Sequence, residues 1–106
     1  MSRMILQALS CAFALVISSS AIAAGTVHRV QIEGMRYVPD RLEAAVGDTI
    51  VWTNRDLVPH TVSAGSTMES GSIEANKSWA FKVSKKGTVA YVCRFHPGMQ
   101  GAVTVK

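Results

Sequence analysis

The segment Tyr91-Val92-Cys93-Arg94-Phe95-His96-Pro97-Gly98-Met99 sets a thiol, an imidazole and a thioether at three-residue steps. Upstream, Pro59-His60-Thr61 offers a second imidazole. His60, Cys93, His96 and Met99 together are the donor set of a mononuclear electron-transfer copper site: two imidazoles, one thiolate and a weak, distant thioether. The soft sulfur donors argue for copper over hard cations, and imidazole suits either copper oxidation state. Such a set lies between the preferences of Cu(I) and Cu(II), so little atomic movement accompanies gain or loss of one electron. Zinc could occupy the same His and Cys groups, but Met is a poor zinc ligand and structural zinc sites use more Cys. A third reading makes Cys93 a nucleophile with His60 or His96 as its base. It leaves Met99 unexplained, and the sequence suggests no oxyanion hole. One copper ion is therefore the expected cofactor, and no enzyme activity is expected.

These side chains need elements that bring them together. Cys93 closes a predicted strand, and the chain must then turn and return as the last strand. Pro97, Gly98 and Gly101 are turn formers, so Arg94 to Gly98 makes a tight loop with Cys93, His96 and Met99 around one small concavity. His60 opens a different strand, predicted over His60–Ala64, and reaches that concavity from an adjacent edge.

The rest of the chain reads as short strands between turn residues. Thr26 to Glu33 alternates, with Val30 and Ile32 on one face. His28 shares that face near the strand start; no second ligand-type residue stands at useful spacing, so a structural role is expected. Met35 to Pro39 bends across an edge after Gly34. Arg41 to Val46 is a strand candidate, and Gly47-Asp48 is a turn. Thr49 to Thr53 is rich in β-formers, with Ile50 and Trp52 on one face. Gly65 to Ser72 reads as a polar surface loop, with Met68 exposed or capping an edge. Trp79, Phe81 and Val83 alternate with Ala80 and Lys82, and Val89, Tyr91 and Cys93 share a face of the next strand. Met35 reads as packing, or as lying under a docking surface. About seven or eight strands and no convincing helix predict an all-β Greek-key sandwich or barrel.

The first residues of this 106-residue chain have a different character. Arg3 is a positive start, Met4 to Ile17 is largely apolar, and Ala21-Ile22-Ala23 is an A-x-A pattern. Residues 1–23 are the expected secretory signal peptide, cut after Ala23 or Ala24, leaving one domain over 24–106. The apolar run, broken by Gln7 and Ser10, is short against the ~20 residues of a membrane span. Cys11 leaves with the signal peptide, so Cys93 is the lone thiol of an exported protein. Metal ligation explains how such a thiol persists in an oxidising compartment. The net charge of +4 is mildly basic. No basic run interleaved with aromatics suggests a nucleic-acid partner.

On these residues the chain resembles the cupredoxins, and within them the amicyanin and plastocyanin group. The resemblance runs through Gly34-Met35-Arg36-Tyr37-Val38-Pro39, Val46 to Asn54, Pro59-His60-Thr61-Val62, Glu69-Ser70-Gly71 and Tyr91 to Met99. Two residues between Cys and His and two between His and Met resemble the short amicyanin loop. The resemblance implies an eight-stranded Greek-key sandwich with copper at one end, held by His60, Cys93, His96 and Met99. It also implies a periplasmic carrier that shuttles electrons between transient partners such as a dehydrogenase or a cytochrome. A monomer with no stable membrane insertion is expected. A module that buffers or delivers copper through the same four ligands is the alternative. The family often has Asn after the first ligand; here Thr61 stands there, and its hydroxyl is expected to bond across to the Arg94 backbone.

Overall fold

The computed structural model describes residues 25–106, together with Ala12, Ala14 and Leu15. Apart from those three, the expected signal peptide and its cleavage point lie outside the described residues. Among the described residues nine short strands follow one another: β1 (Val27–Ile32), β2 (Tyr37–Val38), β3 (Arg41–Ala44), β4 (Thr49–Asn54), β5 (Ser63–Ala64), β6 (Met68–Glu69), β7 (Ser78–Lys82), β8 (Gly87–Val92) and β9 (Gln100–Val105). They form two sheets, ordered β2-β1-β4-β7 and β3-β9-β8-β5-β6. This is the expected all-β sandwich.

The period-2 pattern decides which side chains go inside. In the first sheet β1 runs parallel to β4, with Val30 opposite Trp52 and Ile32 opposite Asn54. Val30, Ile32, Ile50 and Trp52 are all buried, as their alternation predicts. The second sheet contributes Tyr91, Val103 and Val105 from β8 and β9, which pair antiparallel. Trp79 and Phe81 of the edge strand β7 pack against this core from a half-buried position. Gly101 is needed where β9 crosses Tyr91, because a Cβ there would run into the phenol ring.

Two expectations change in detail. His60–Ala64 does not form a continuous strand: His60 makes an isolated bridge to Ile73, and only Ser63–Ala64 joins the second sheet. The cause is where its N–H groups go. Thr61 N donates to the Cys93 sulfur and Val62 N to the Ser70 hydroxyl, so neither joins a ladder. The loop over 65–72 folds back as a hairpin, and Met68 caps the sheet edge from inside, only 3% exposed.

The parallel register aligns the ends of β1 and β4, and the turn after β8 meets them there. The site segments 33–36, 55–62 and 93–99 thus gather at one end of the sandwich. Thr26, Asp48, Val83 and Gly87 lie at the other, joined in part by the Gly47 N to Val83 O bond.

Candidate metal centre

Cys93 follows directly on β8 and is completely buried. The loop after it closes on itself: Met99 N donates to His96 O at 2.8 Å, and Cys93 N donates to Met99 O at 3.2 Å. These bonds turn the three-residue spacing into a compact loop, as the Pro97 and Gly98 turn predicts. His96 is left half-buried on the outer side of the loop, and Met99 is buried at its end, 4% exposed.

His60 comes from the segment after β4 and is fully buried. Its Nε2 lies 2.8 Å from Asp56 Oδ2. Asp56 also accepts from Gly34 N at 2.8 Å and Met35 N at 2.9 Å. Gly34 and Met35 both hold left-handed backbone, φ 63 and 61°, which turns two successive N–H groups toward the carboxylate. Burial works against the charge on Asp56, but the Met35 and Gly34 N–H groups and the His60 ring hold its carboxyl below the usual range. An ionised Asp56 accepts from a proton on His60 Nε2, and this orients Nδ1, the nitrogen left to bind a metal, toward Cys93. Asn54 fixes this segment: its amide donates to Val58 O and Ile73 O, and its Oδ1 accepts from Asp56 N.

The two Nδ1 atoms converge on the thiol. His60 Nδ1 is 3.8 Å and His96 Nδ1 3.7 Å from Cys93 Sγ, and the three ligand-type atoms lie within 4.8 Å of one another. A first-row metal bound to nitrogen at about 2.0 Å and to sulfur at about 2.3 Å, at a trigonal angle of about 120°, needs N and S about 3.7 Å apart. The spacing fits one metal ion held by these three atoms.

Thr61 ties the two ligand segments together. Its N–H donates to Cys93 Sγ at 3.4 Å, and its Oγ1 accepts from Arg94 N at 2.9 Å, the cross-loop bond expected from the sequence. Outside the loop, the Arg94 guanidinium meets Glu69 Oε2 at 2.7 Å. The Tyr37 hydroxyl donates to Thr61 O. Burial, then the charges of Cys93 and Tyr91, push that hydroxyl well above the ordinary phenol range, so it stays a donor.

His60, Cys93 and His96, expected as ligands, are thus brought together. His28, expected to be structural, sits at the opposite end against Asp48. Met35 does not pack in the core; it is 41% exposed at the metal end. The roles of Asp56, Asn54 and Tyr37 at this site escaped the sequence reading. For Asp56 a signal existed: a carboxylate four residues before a ligand-type His, across a Pro, is a candidate to orient its ring.

The fold and this donor set define a cupredoxin, and the chain belongs to that family: the cupredoxin-like domain matches residues 6–105. Amicyanin-alpha of Methylorubrum extorquens is 28% identical over 93% of this chain and 97% of its own length. Amicyanin of Paracoccus denitrificans is 32% identical over 73% of this chain, which spans 63% of that protein's length. The Cu(I) form of an amicyanin variant superposes with a TM-score of 0.71 at 32% identity, covering 81% of this chain and 87% of that one. Plastocyanins are also among its relatives.

Proposed function

We propose that this chain is a type 1 copper protein that carries single electrons between redox partners in the periplasm. The observation that carries this reading is the convergence of two imidazole Nδ1 atoms on one buried thiol at trigonal spacing. In this reading His60, Cys93 and His96 would hold the ion, with Met99 as a weak fourth donor. The ion supplies a one-electron couple.

The protein's part is rigidity and access. The Asp56 carboxylate fixes the His60 ring, and Thr61 bonds to the Cys93 sulfur and to the Arg94 N–H, so the ligands have one arrangement in both charge states. All four ligand positions come from the chain, leaving none for a substrate; the protein is a carrier rather than an enzyme. Half-buried His96 provides the contact with solvent, and Phe95 beside it is 51% exposed, as are Leu57 at 93% and Met35 at 41% at the same end. A dehydrogenase or cytochrome docks there briefly through a small interface, below about 1,200 Å². Residues 1–23 direct export and are removed in this reading.

Adding Cu(II) to the purified protein gives an intense blue thiolate-to-copper absorption with one ion per chain. A colourless product, or equal uptake by a Cys93→Ser variant, sinks the proposal.

A further inference from the structure

Two tyrosines lie in contact beneath the metal end. Tyr37 and Tyr91 pack edge to face with centroids 4.7 Å apart, and both are buried. Their hydroxyl groups do different things. Tyr91 Oη accepts from Trp52 Nε1 at 3.2 Å, a bond within the core. Tyr37 Oη donates to the carbonyl of Thr61, a residue only 2% exposed. Thr61 is the residue whose N–H reaches Cys93 Sγ and whose hydroxyl accepts from Arg94 N and meets the Ser63 hydroxyl at 2.9 Å.

We infer that Tyr37 is a positioning residue for the copper site, and that its hydroxyl sets the strength of the Thr61 N–H to Cys93 sulfur bond and so the reduction potential. The inference rests on the copper reading above. Thr61 is gripped at all three of its polar groups. Its N–H and hydroxyl face the ligand loop, and its carbonyl faces the core, where Tyr37 is its donor among the described residues. A buried carbonyl without a donor is costly, so removing the Tyr37 hydroxyl forces the 60–62 segment to shift toward another partner. Those residues have little ladder bonding to resist such a shift, since His60 makes only an isolated bridge. The shift weakens the N–H donated to the sulfur. A thiolate with a weaker hydrogen bond gives more electron density to the metal, which favours the oxidised ion. The potential then falls.

The test compares Tyr37→Phe with Tyr91→Phe. Each removes one buried phenol hydroxyl and keeps the ring, so both lose stability. Only Tyr37→Phe is expected to lower the potential and to move the thiolate-to-copper band. In the metal-free protein, only Tyr37→Phe is expected to displace the Thr61 amide proton resonance. Placing 3-fluorotyrosine at position 37 strengthens the donor at constant shape; it raises the potential, and it serves if the Phe variant fails to fold. Equal potentials and equal Thr61 shifts in the two Phe variants, or no response to the fluorinated residue, overturn the inference. Failure of the copper reading is distinct: the unmodified protein gives no blue band, while the amide shift still reports whether Tyr37 positions Thr61.

Discussion

The two ends of the sandwich each hold a histidine against an aspartate, and the local chemistry is nearly the same. His28 Nε2 lies 2.8 Å from Asp48 Oδ2, and His60 Nε2 lies 2.8 Å from Asp56 Oδ2. Each aspartate is also cradled by two backbone N–H groups: Thr26 and Ala45 at one end, Gly34 and Met35 at the other. What differs is the view from the second ring nitrogen. His60 is wholly buried and turns Nδ1 toward the Cys93 sulfur. His28 is partly exposed, with a side-chain accessibility of 21%, and stands apart from the cluster of His60, Cys93 and His96. An oriented imidazole is therefore not a metal site by itself. At one end the pair fastens the start of β1 to the turn before β4; at the other it aims a ring nitrogen at the Cys93 sulfur.

The largest effect separating the two pairs is on metal binding. His60→Ala is expected to abolish the blue absorption on copper addition, whereas His28→Ala keeps its position and intensity and lowers only the melting temperature. Copper titrations followed by absorbance decide this, and a lost or shifted band in the His28 variant breaks the distinction. The next effect is smaller and concerns orientation. Asp56→Ala leaves all four expected ligands in place but frees the His60 ring, and should lower copper affinity by about 10–100-fold. Asp48→Ala, removing an equally well-bonded carboxylate, should leave affinity unchanged. Competition against a chelator of known affinity measures both.

The sequence distinguished these ends by company rather than by the histidines. Cys93, His96 and Met99 stand at regular short steps before a Pro-Gly turn, so their convergence follows from local chain geometry. His60 is 33 residues from Cys93. Its place beside the thiol depends on the pairing of β5 with β8, Ser63 opposite Val92, which spacing alone does not specify. The strands around the core were legible because Val30 and Ile32 alternate with polar neighbours and Ile50 and Trp52 share one face of a run rich in β-formers. The segment over 60–64 was not, because its β-prone residues spend their N–H groups on a sulfur and a hydroxyl. Asp56 went unread for a similar reason: its partners, Gly34 and Met35, are 22 and 21 residues away. Tyr37 stood in the sequence only within the segment that resembles the family, and its hydroxyl bond to Thr61 depends on a residue 24 positions away.

The smallest expected difference is in acid, and it tests how far the likeness between the two pairs extends. The Ala45 N–H, then the His28 ring and, against some burial, the Thr26 N–H hold the Asp48 carboxyl below the usual carboxylate range. Asp56 is lowered as well, with burial opposing the Met35, Gly34 and His60 bonds. A carboxyl depressed in the folded state stabilises the fold fully above its unfolded value, about 3.9 for Asp. That stabilisation is lost as pH falls through the lower, folded value. In the metal-free protein, Asp48→Asn and Asp56→Asn should therefore both melt below the unmodified chain at neutral pH, with the gaps closing as pH drops below about 4. With copper bound the ends should part, since the ligated His60 makes the Asp56 gap larger while the Asp48 gap stays as it was. Melting curves at several pH values, with and without copper, separate these cases. A gap that persists unchanged into strong acid at either end would mean that shape, rather than charge, holds that aspartate in place.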